Sequence, residues 1–239
     1  MVEIKRYSPV SFKASPKRTE IRDNFTVVLE YEGEGQQPFD PSNSKDNYIV
    51  DLSHITRFDV QSSNLDDITP FGIKIPQGLC ESYLQDSVLI NRMNRVQASI
   101  FCLPVKKDES SKECQFDFQC SCDSDCKCDP KKSSAYTETT EVGMCMAIFG
   151  KNTFSITEKL TSLDFLDPVK KTPFLYQGPM SHIPCQIITL SRDGAKSGII
   201  FTASRGYGKD MTHAIMDAGA EFGLKPAGED RFKSWAGSL

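Results

Sequence analysis

An α+β fold made of two similar plait-like halves, each of the order β-α-β-β(-α), with a cysteine-rich insertion between them, is what this sequence points to. Three observations carry that expectation. The stretch from Ile183 to Pro226 reads as a hairpin running straight into an amphipathic helix. The order of elements in residues 141–226 is echoed more weakly over residues 47–105. Between the two, residues 106–140 nearly lose their apolar side chains and gather cysteines.

The Ile183–Pro226 stretch is the best specified. Ile187, Ile188 and Leu190 form a β-branched run, Ser191 to Gly194 make a turn, and Gly198 to Phe201 form the return strand. Tyr207, Met211, Ala214, Ile215, Ala218 and Phe222 then recur at helical spacing on one face. Gly223 suits the left-handed position that ends a helix, and Pro226 prevents a restart. A helix with such a stripe has to lie on a sheet, and the hairpin before it is the nearest one.

Taken in order, residues 1–46 predict a polar, extended arm interrupted by a short strand, Phe25 to Tyr31, and followed by a Gly/Pro-rich loop. Such an arm is either solvated or laid across a partner. Strands are expected at Tyr48–Val50 and Phe58–Val60, a short helical segment at Leu65–Ile68, and strands at Ser87–Asn91 and Gln97–Leu103 joined by a turn over Arg92–Arg95. Residues 106–140 are read as a surface insertion. Val142–Phe149 is then a strand ending at Gly150, and Ser155 with Glu158 is spaced as a capping box for a helix bearing Leu160 and Leu163. The tail, 227–239, carries the sole tryptophan, Trp235, which docks either on this fold or on a partner.

Composition narrows the function classes. With 239 residues, 38% hydrophobic and 25% charged, the chain can bury a real core. A net charge of -4 argues against a nucleic-acid surface, and no apolar run reaches the roughly 20 residues of a membrane helix. The N-terminus lacks the apolar segment of a secretory signal, so a cytoplasmic location is expected. Five of the nine cysteines crowd into residues 114–128, unlike the spread of a secreted disulfide framework.

That cluster reads C-x5-C-x-C-x3-C-x-C across Cys114, Cys120, Cys122, Cys126 and Cys128. Soft thiolates suit zinc or an iron–sulfur cluster, although the C-x2-C knuckle of the common zinc ribbons is missing. Reversible disulfide chemistry and a loop of idle, reduced thiols are the alternatives. His54, His182 and His213 are far apart in sequence and form no metal-binding spacing; His54, after a strand, reads as a structural histidine. Nucleophile elbow, dinucleotide fingerprint and phosphate-binding lysine loop are all absent. Ser204-Arg205-Gly206-Tyr207-Gly208 sits at a strand-to-helix junction, where the glycines serve either the turn or an anion at the helix start. Asp86, at the entrance to a strand, either holds a ring nitrogen or is a solvated charge.

On Asp51-Leu52-Ser53-His54-Ile55-Thr56-Arg57-Phe58, Ser87-Val88-Leu89-Ile90-Asn91-Arg92, Ile183-Pro184-Cys185-Gln186-Ile187, Ser204-Arg205-Gly206-Tyr207 and Ala218 to Pro226, the chain resembles the folate-binding domain superfamily. That superfamily contains the glycine-cleavage T-protein and sarcosine oxidase subunits, and the order of these motifs is most similar to the gamma subunit of heterotetrameric sarcosine oxidase. The likeness covers most of residues 48–104 and 142–226. Where the T-protein has G-Y-T-G-E, this chain keeps only Gly206 and Tyr207; its functional aspartate falls near Asp86, in poorly matching surroundings. The resemblance implies an accessory subunit with no flavin and no catalytic residues of its own, seated against larger flavoprotein subunits that carry FAD or FMN and use tetrahydrofolate. It places Asp86 and Tyr207 on the folate side. A stand-alone folate-dependent aminomethyl or methyl transferase, and a metal or redox module built on the cysteine loop, are the alternatives. The cysteine insertion is not a feature of that family.

Overall fold

The computed structural model describes residues 5–34, 39–40, 45–105 and 127–239. The chain divides into two compact units, the first made of Met1–His54, Glu141–Thr172 and Tyr176–Leu239, the second of Ile55–Thr140 and Pro173–Leu175. The elements are mixed strands with few helices, as expected for an α+β protein.

The N-terminal arm is a hairpin, β1 (Pro16–Arg22) and β2 (Phe25–Tyr31). Asp23 and Asn24, both at positive φ, make its two-residue turn, a conformation that short polar side chains tolerate. β2 alternates buried and open residues as a half-covered strand does: Phe25, Val27 and Leu29 point inward. After β3 (Asn47–Asp51), the chain enters the second unit with β4 (Arg57–Gln61), β5 (Ser82–Gln85), β6 (Val88–Arg92), β7 (Gln97–Cys102) and β8 (Tyr136–Glu138). It returns through β9 (Gly143–Gly150), α1 (Thr153–Thr157), β10 (Phe174–Met180), β11 (Ile183–Ser191), β12 (Gly198–Ser204), α2 (Gly208–Gly219), β13 (Leu224–Ala227) and α3 (Glu229–Ala236).

In the first unit the sheet order is β10-β11-β12-β9-β3-β13, six strands. β11 and β12 are the predicted hairpin, with Ile187 opposite Phe201 and Ile188 opposite Ile200. β13 pairs parallel to β3 at the sheet's edge, the place in a sheet where a proline such as Pro226 is tolerated. Gly223 takes the left-handed conformation (φ 65) that the helix ending was expected to need. The helical stripe begins later than its spacing suggested. Met211 and Ile215 are fully buried, but Tyr207 lies in a 3-10 turn ahead of α2 and is exposed.

The Ser155/Glu158 capping box does not form; α1 starts at Thr153. Gly150, at φ 128, turns the chain at once, in a space where a Cβ would lie 2.4 Å from the Asp46 carbonyl oxygen. Asn47 Oδ1 then accepts from the Asn152 amide at 2.7 Å, which places the helix start three residues ahead of the sequence signal. The tail docks on this fold. Trp235 is fully buried, stacked on Phe149 at 4.8 Å between ring centroids, and its indole N–H donates to the Lys196 carbonyl at 3.1 Å. Gly198 lies beneath it, where any Cβ would run into the indole.

The second unit is a five-stranded sheet of order β5-β6-β7-β4-β8. One face carries the apolar core, including Phe58, Val60, Val88, Ile90, Ile100 and Tyr136. The expected helical segment is a single 3-10 turn at Leu65–Asp67, capped by Asn64 Oδ1, which accepts from the Asp66 amide. Two features were not anticipated. β3 joins the first unit's sheet although it was grouped with the half 47–105. Within the 106–140 stretch, Tyr136–Glu138 form an edge strand of the second unit's sheet. No helix of the described residues is long and apolar enough to cross a membrane.

Trp235→Ala is expected to cost ~3–5 kcal/mol. The loss would be read as a lower urea midpoint by circular dichroism, because the variant has no tryptophan to follow.

Candidate functional site

The sequence motif Asp51-Leu52-Ser53-His54 leads from β3 into the densest polar cluster of the first unit. Asp51 is held at both carboxylate oxygens, accepting from Ser8 Oγ at 2.5 Å and from the Ser53 amide at 2.9 Å. Ser53 Oγ accepts from the Cys145 amide at 3.1 Å. His54, tilted against the Phe25 ring, sets its Nε2 2.5 Å from Glu229 Oε2. Glu229 opens α3 and has no exposed surface. Arg22 Nη1 reaches both its oxygens, at 2.9 and 2.7 Å, and Lys233 Nζ lies 2.5 Å from Oε1. Glu20 clasps the far side of Arg22.

Burial pushes the Glu229 carboxyl up, but the hydrogen bond and charge of His54 and Lys233 outweigh it and hold the group down at about 2. Tyr31, near Asp51 and Glu34, is driven strongly upward by burial first and then by those two carboxylates. The cavity between β2, Asp51 and His54 measures about 10 Å³, about the volume that one water needs. A larger, open pocket of about 260 Å³ lies beside α1, lined by Phe154, Glu158, Asp164, Phe165 and Leu166 among others.

The second unit carries a polar line that sequence spacing did not suggest. Register places Ser82 opposite Asn91, Asn91 opposite Ser99, Ser99 opposite Asp59 and Asp59 opposite Thr137. The line crosses all five strands on the face away from the apolar core. Asn91 is fully buried, its Nδ2 donates to Ser99 Oγ at 3.3 Å, and its Oδ1 has no hydrogen-bond partner; nor has the buried Ser82 Oγ. Burial raises the Asp59 carboxyl above its ordinary range, opposed by Arg57 and Gln97. Only strand pairing could have revealed the line, since its paired members lie between 8 and 78 residues apart in sequence.

The sequence-derived site residues fall in separate units. Asp86 and Ser87, both at positive φ, are the two-residue turn of the β5–β6 hairpin, and Asp86 is exposed with Oδ2 accepting from Gln85 Nε2 at 3.2 Å. Tyr207 belongs to the first unit, half exposed in the turn before α2. The helix start at Gly208 is covered by Pro9, whose carbonyl oxygen would be 2.4 Å from a Cβ there. His182 also serves a turn, with Ser181 between β10 and β11, and His213 is exposed on α2. Cys114, Cys120, Cys122 and Cys126 lie outside the described residues. Cys128 is half-buried, and its carbonyl accepts from the Phe71 amide at 2.8 Å. Cys185 is buried, with its thiol pushed up to about 11 by burial, and is correspondingly unreactive.

No family model and no curated protein matches the chain. Solved structures do. A chain of the heterotetrameric sarcosine oxidase from Corynebacterium sp. U-96, in complex with pyrrole 2-carboxylate, matches with a TM-score of 0.54 and 10% identity over 74% of this chain and 85% of that one. The glycine cleavage system aminomethyltransferase T from Bartonella henselae matches with a TM-score of 0.52 and 10% identity over 91% of this chain. The fold is aminomethyltransferase-like. This chain spans 57% of the transferase, and at 10% identity the likeness is one of fold.

The Glu229 cluster has a definite acid signature. A carboxyl whose folded value is depressed from 4.5 to about 2 adds stability that is present above pH 4.5 and lost as pH falls through about 2. Glu229→Gln should lower stability by about 3 kcal/mol at neutral pH and flatten the acid limb between those values. Urea titrations from pH 2 to 7 would measure both.

Proposed function

We propose that the chain is a non-catalytic accessory subunit, gamma-like, of a flavin-dependent complex that oxidises sarcosine or a related N-methyl amino acid and passes the one-carbon unit to tetrahydrofolate. The observation that carries this reading is the match to one chain of a heterotetrameric sarcosine oxidase, of which 85% is covered. With 74% of this chain aligned, that matched chain is slightly the shorter of the two. It is thus a lone module of this fold and not a segment of a large flavoprotein. The partners are larger flavoprotein subunits, and FAD or FMN belongs to them.

Tetrahydrofolate is assigned to the assembly. Asp86 and Tyr207, the folate-side candidates, line neither of the two pockets described above. The first reading therefore gives this chain the task of shaping and shielding a partner's folate cavity. The second reading, a stand-alone folate-dependent transferase, is favoured by the 91% coverage of this chain by aminomethyltransferase T. It would put Asp86 and Tyr207 near the pterin. The third, a zinc or iron–sulfur module on Cys114, Cys120, Cys122, Cys126 and Cys128, rests on the sequence spacing alone.

Affinity purification of the full chain from its native source should recover larger subunits with flavin absorption near 450 nm; a monomer without flavin would refute the first reading. Titration of the isolated chain with tetrahydrofolate should leave Trp235 fluorescence and heat unchanged, whereas micromolar binding would favour the transferase. Elemental analysis of the same sample decides the metal: close to one equivalent of zinc or iron supports the cysteine site, and a trace removes it.

A further inference from the structure

Three of the large apolar side chains that the first unit leaves open belong to residues hydrogen-bonded to Arg205 through their backbone or next to it in its turn. Tyr7 is 68% exposed, Val142 67% and Tyr207 46%. Arg205 joins them: its amide donates to the Val142 carbonyl at 3.4 Å, and its guanidinium donates to the Tyr7 carbonyl and, at 3.1 Å, to Glu141 Oε2. Tyr207 follows two residues later in the same 3-10 turn. Arg6 comes in from the arm, donating through Nε to Glu141 Oε1 at 2.6 Å. The close approach of Pro9 to Gly208 keeps the arm along this turn.

The charge around these side chains is positive on an acidic chain. Lys5, Arg6, Arg205 and Lys209 stand in or beside these segments with Asp23, Glu141 and Asp210, four cations against three anions, where the whole chain carries -4. Lys5 and Lys209 are exposed and have no ion pair among the described residues. Tyrosine and arginine are the residue types that dominate binding energy at interfaces. Here both arginines are already positioned by Glu141, so less side-chain entropy is lost when something covers them.

We propose that this patch of Tyr7, Val142, Tyr207, Arg6 and Arg205 docks an acidic, apolar-bearing face of the flavin-carrying partner subunit; the inference rests on the accessory-subunit reading above. Charge complementarity selects that occupant over a second copy of this chain, because two such patches would oppose like charges. The open pocket beside α1, with Glu158 and Asp164 on its rim and Val169 exposed a few residues on, has the opposite sign and serves as a control surface.

The test uses the tagged full chain in its native source, with flavin absorption per recovered chain as the readout. Val142→Asp and Tyr207→Ala are expected to cut recovered flavin about tenfold or more, and Lys209→Glu several-fold. Flavin recovery by the unaltered chain should fall as sodium chloride is raised. Val169→Asp should keep flavin within about twofold, and unchanged Trp235 fluorescence would show that each variant is folded. Wild-type flavin recovery with all three patch variants would overturn the inference while sparing the accessory-subunit reading. So would a homodimer of the isolated chain, by sedimentation, that Val142→Asp dissolves. Absence of flavin from the unaltered preparation would sink both.

Discussion

Glu229 has no exposed surface and meets three donors at once: Arg22 from the N-terminal hairpin, His54 from the chain leaving β3, and Lys233 one turn along its own helix. A carboxylate taken out of water costs several kcal/mol unless its partners are set in good geometry, so the position of each partner is constrained to hydrogen-bonding distance. α3, at eight residues, is too short to hold itself together in water. Its register is fixed by Glu229 at its start and by Phe232 and Trp235 packing on Phe149. Arg231 adds a second clasp, to Glu34 at 3.3 Å and over the Tyr48 ring. The N-terminal hairpin and α3 thus close the first unit, and part of the stretch expected to be solvated or laid across a partner joins its core.

The second unit builds its core on a sheet, closed by Leu65, Ile68, Ile73 and Ile75 from the 3-10 turns and the chain beside them. Its apolar face is filled by β-branched and aromatic residues that alternate along each strand, while the other face carries the polar line from Ser82 to Thr137. Two-residue turns at positive φ recur in both units, at Asp23-Asn24, Asp86-Ser87 and Ser181-His182. In each the twist of the turn matches the twist of the strands it joins. Asp86, read from the sequence either as holding a ring nitrogen or as a solvated charge, and His182, which has no metal-binding spacing, have conformational work at these turns.

A similar economy runs through the residues that carry the family resemblance. Asp51, Ser53 and His54 each engage polar atoms inside the first unit, and the Arg57 amide donates to Thr140 Oγ1 at 3.1 Å within the second. These are scaffold contacts.

Local physics was readable without coordinates. The β11–β12 hairpin, the left-handed Gly223, the strand Phe25–Tyr31 and the body of α2 follow from side-chain periodicity and backbone preference, which act over a few residues. Contacts between distant segments obeyed no such rule. β3 pairs with β9 across about a hundred residues, α1 starts where Asn47 pins the chain and not at its capping signal, and Asn91 and Ser82 are left with buried, unpaired atoms. Residue order alone settled which segments turn, extend or coil. Which carboxylate is buried and which tyrosine is open was settled by packing, because desolvation and ion pairing depend on neighbours that the linear chain does not place side by side.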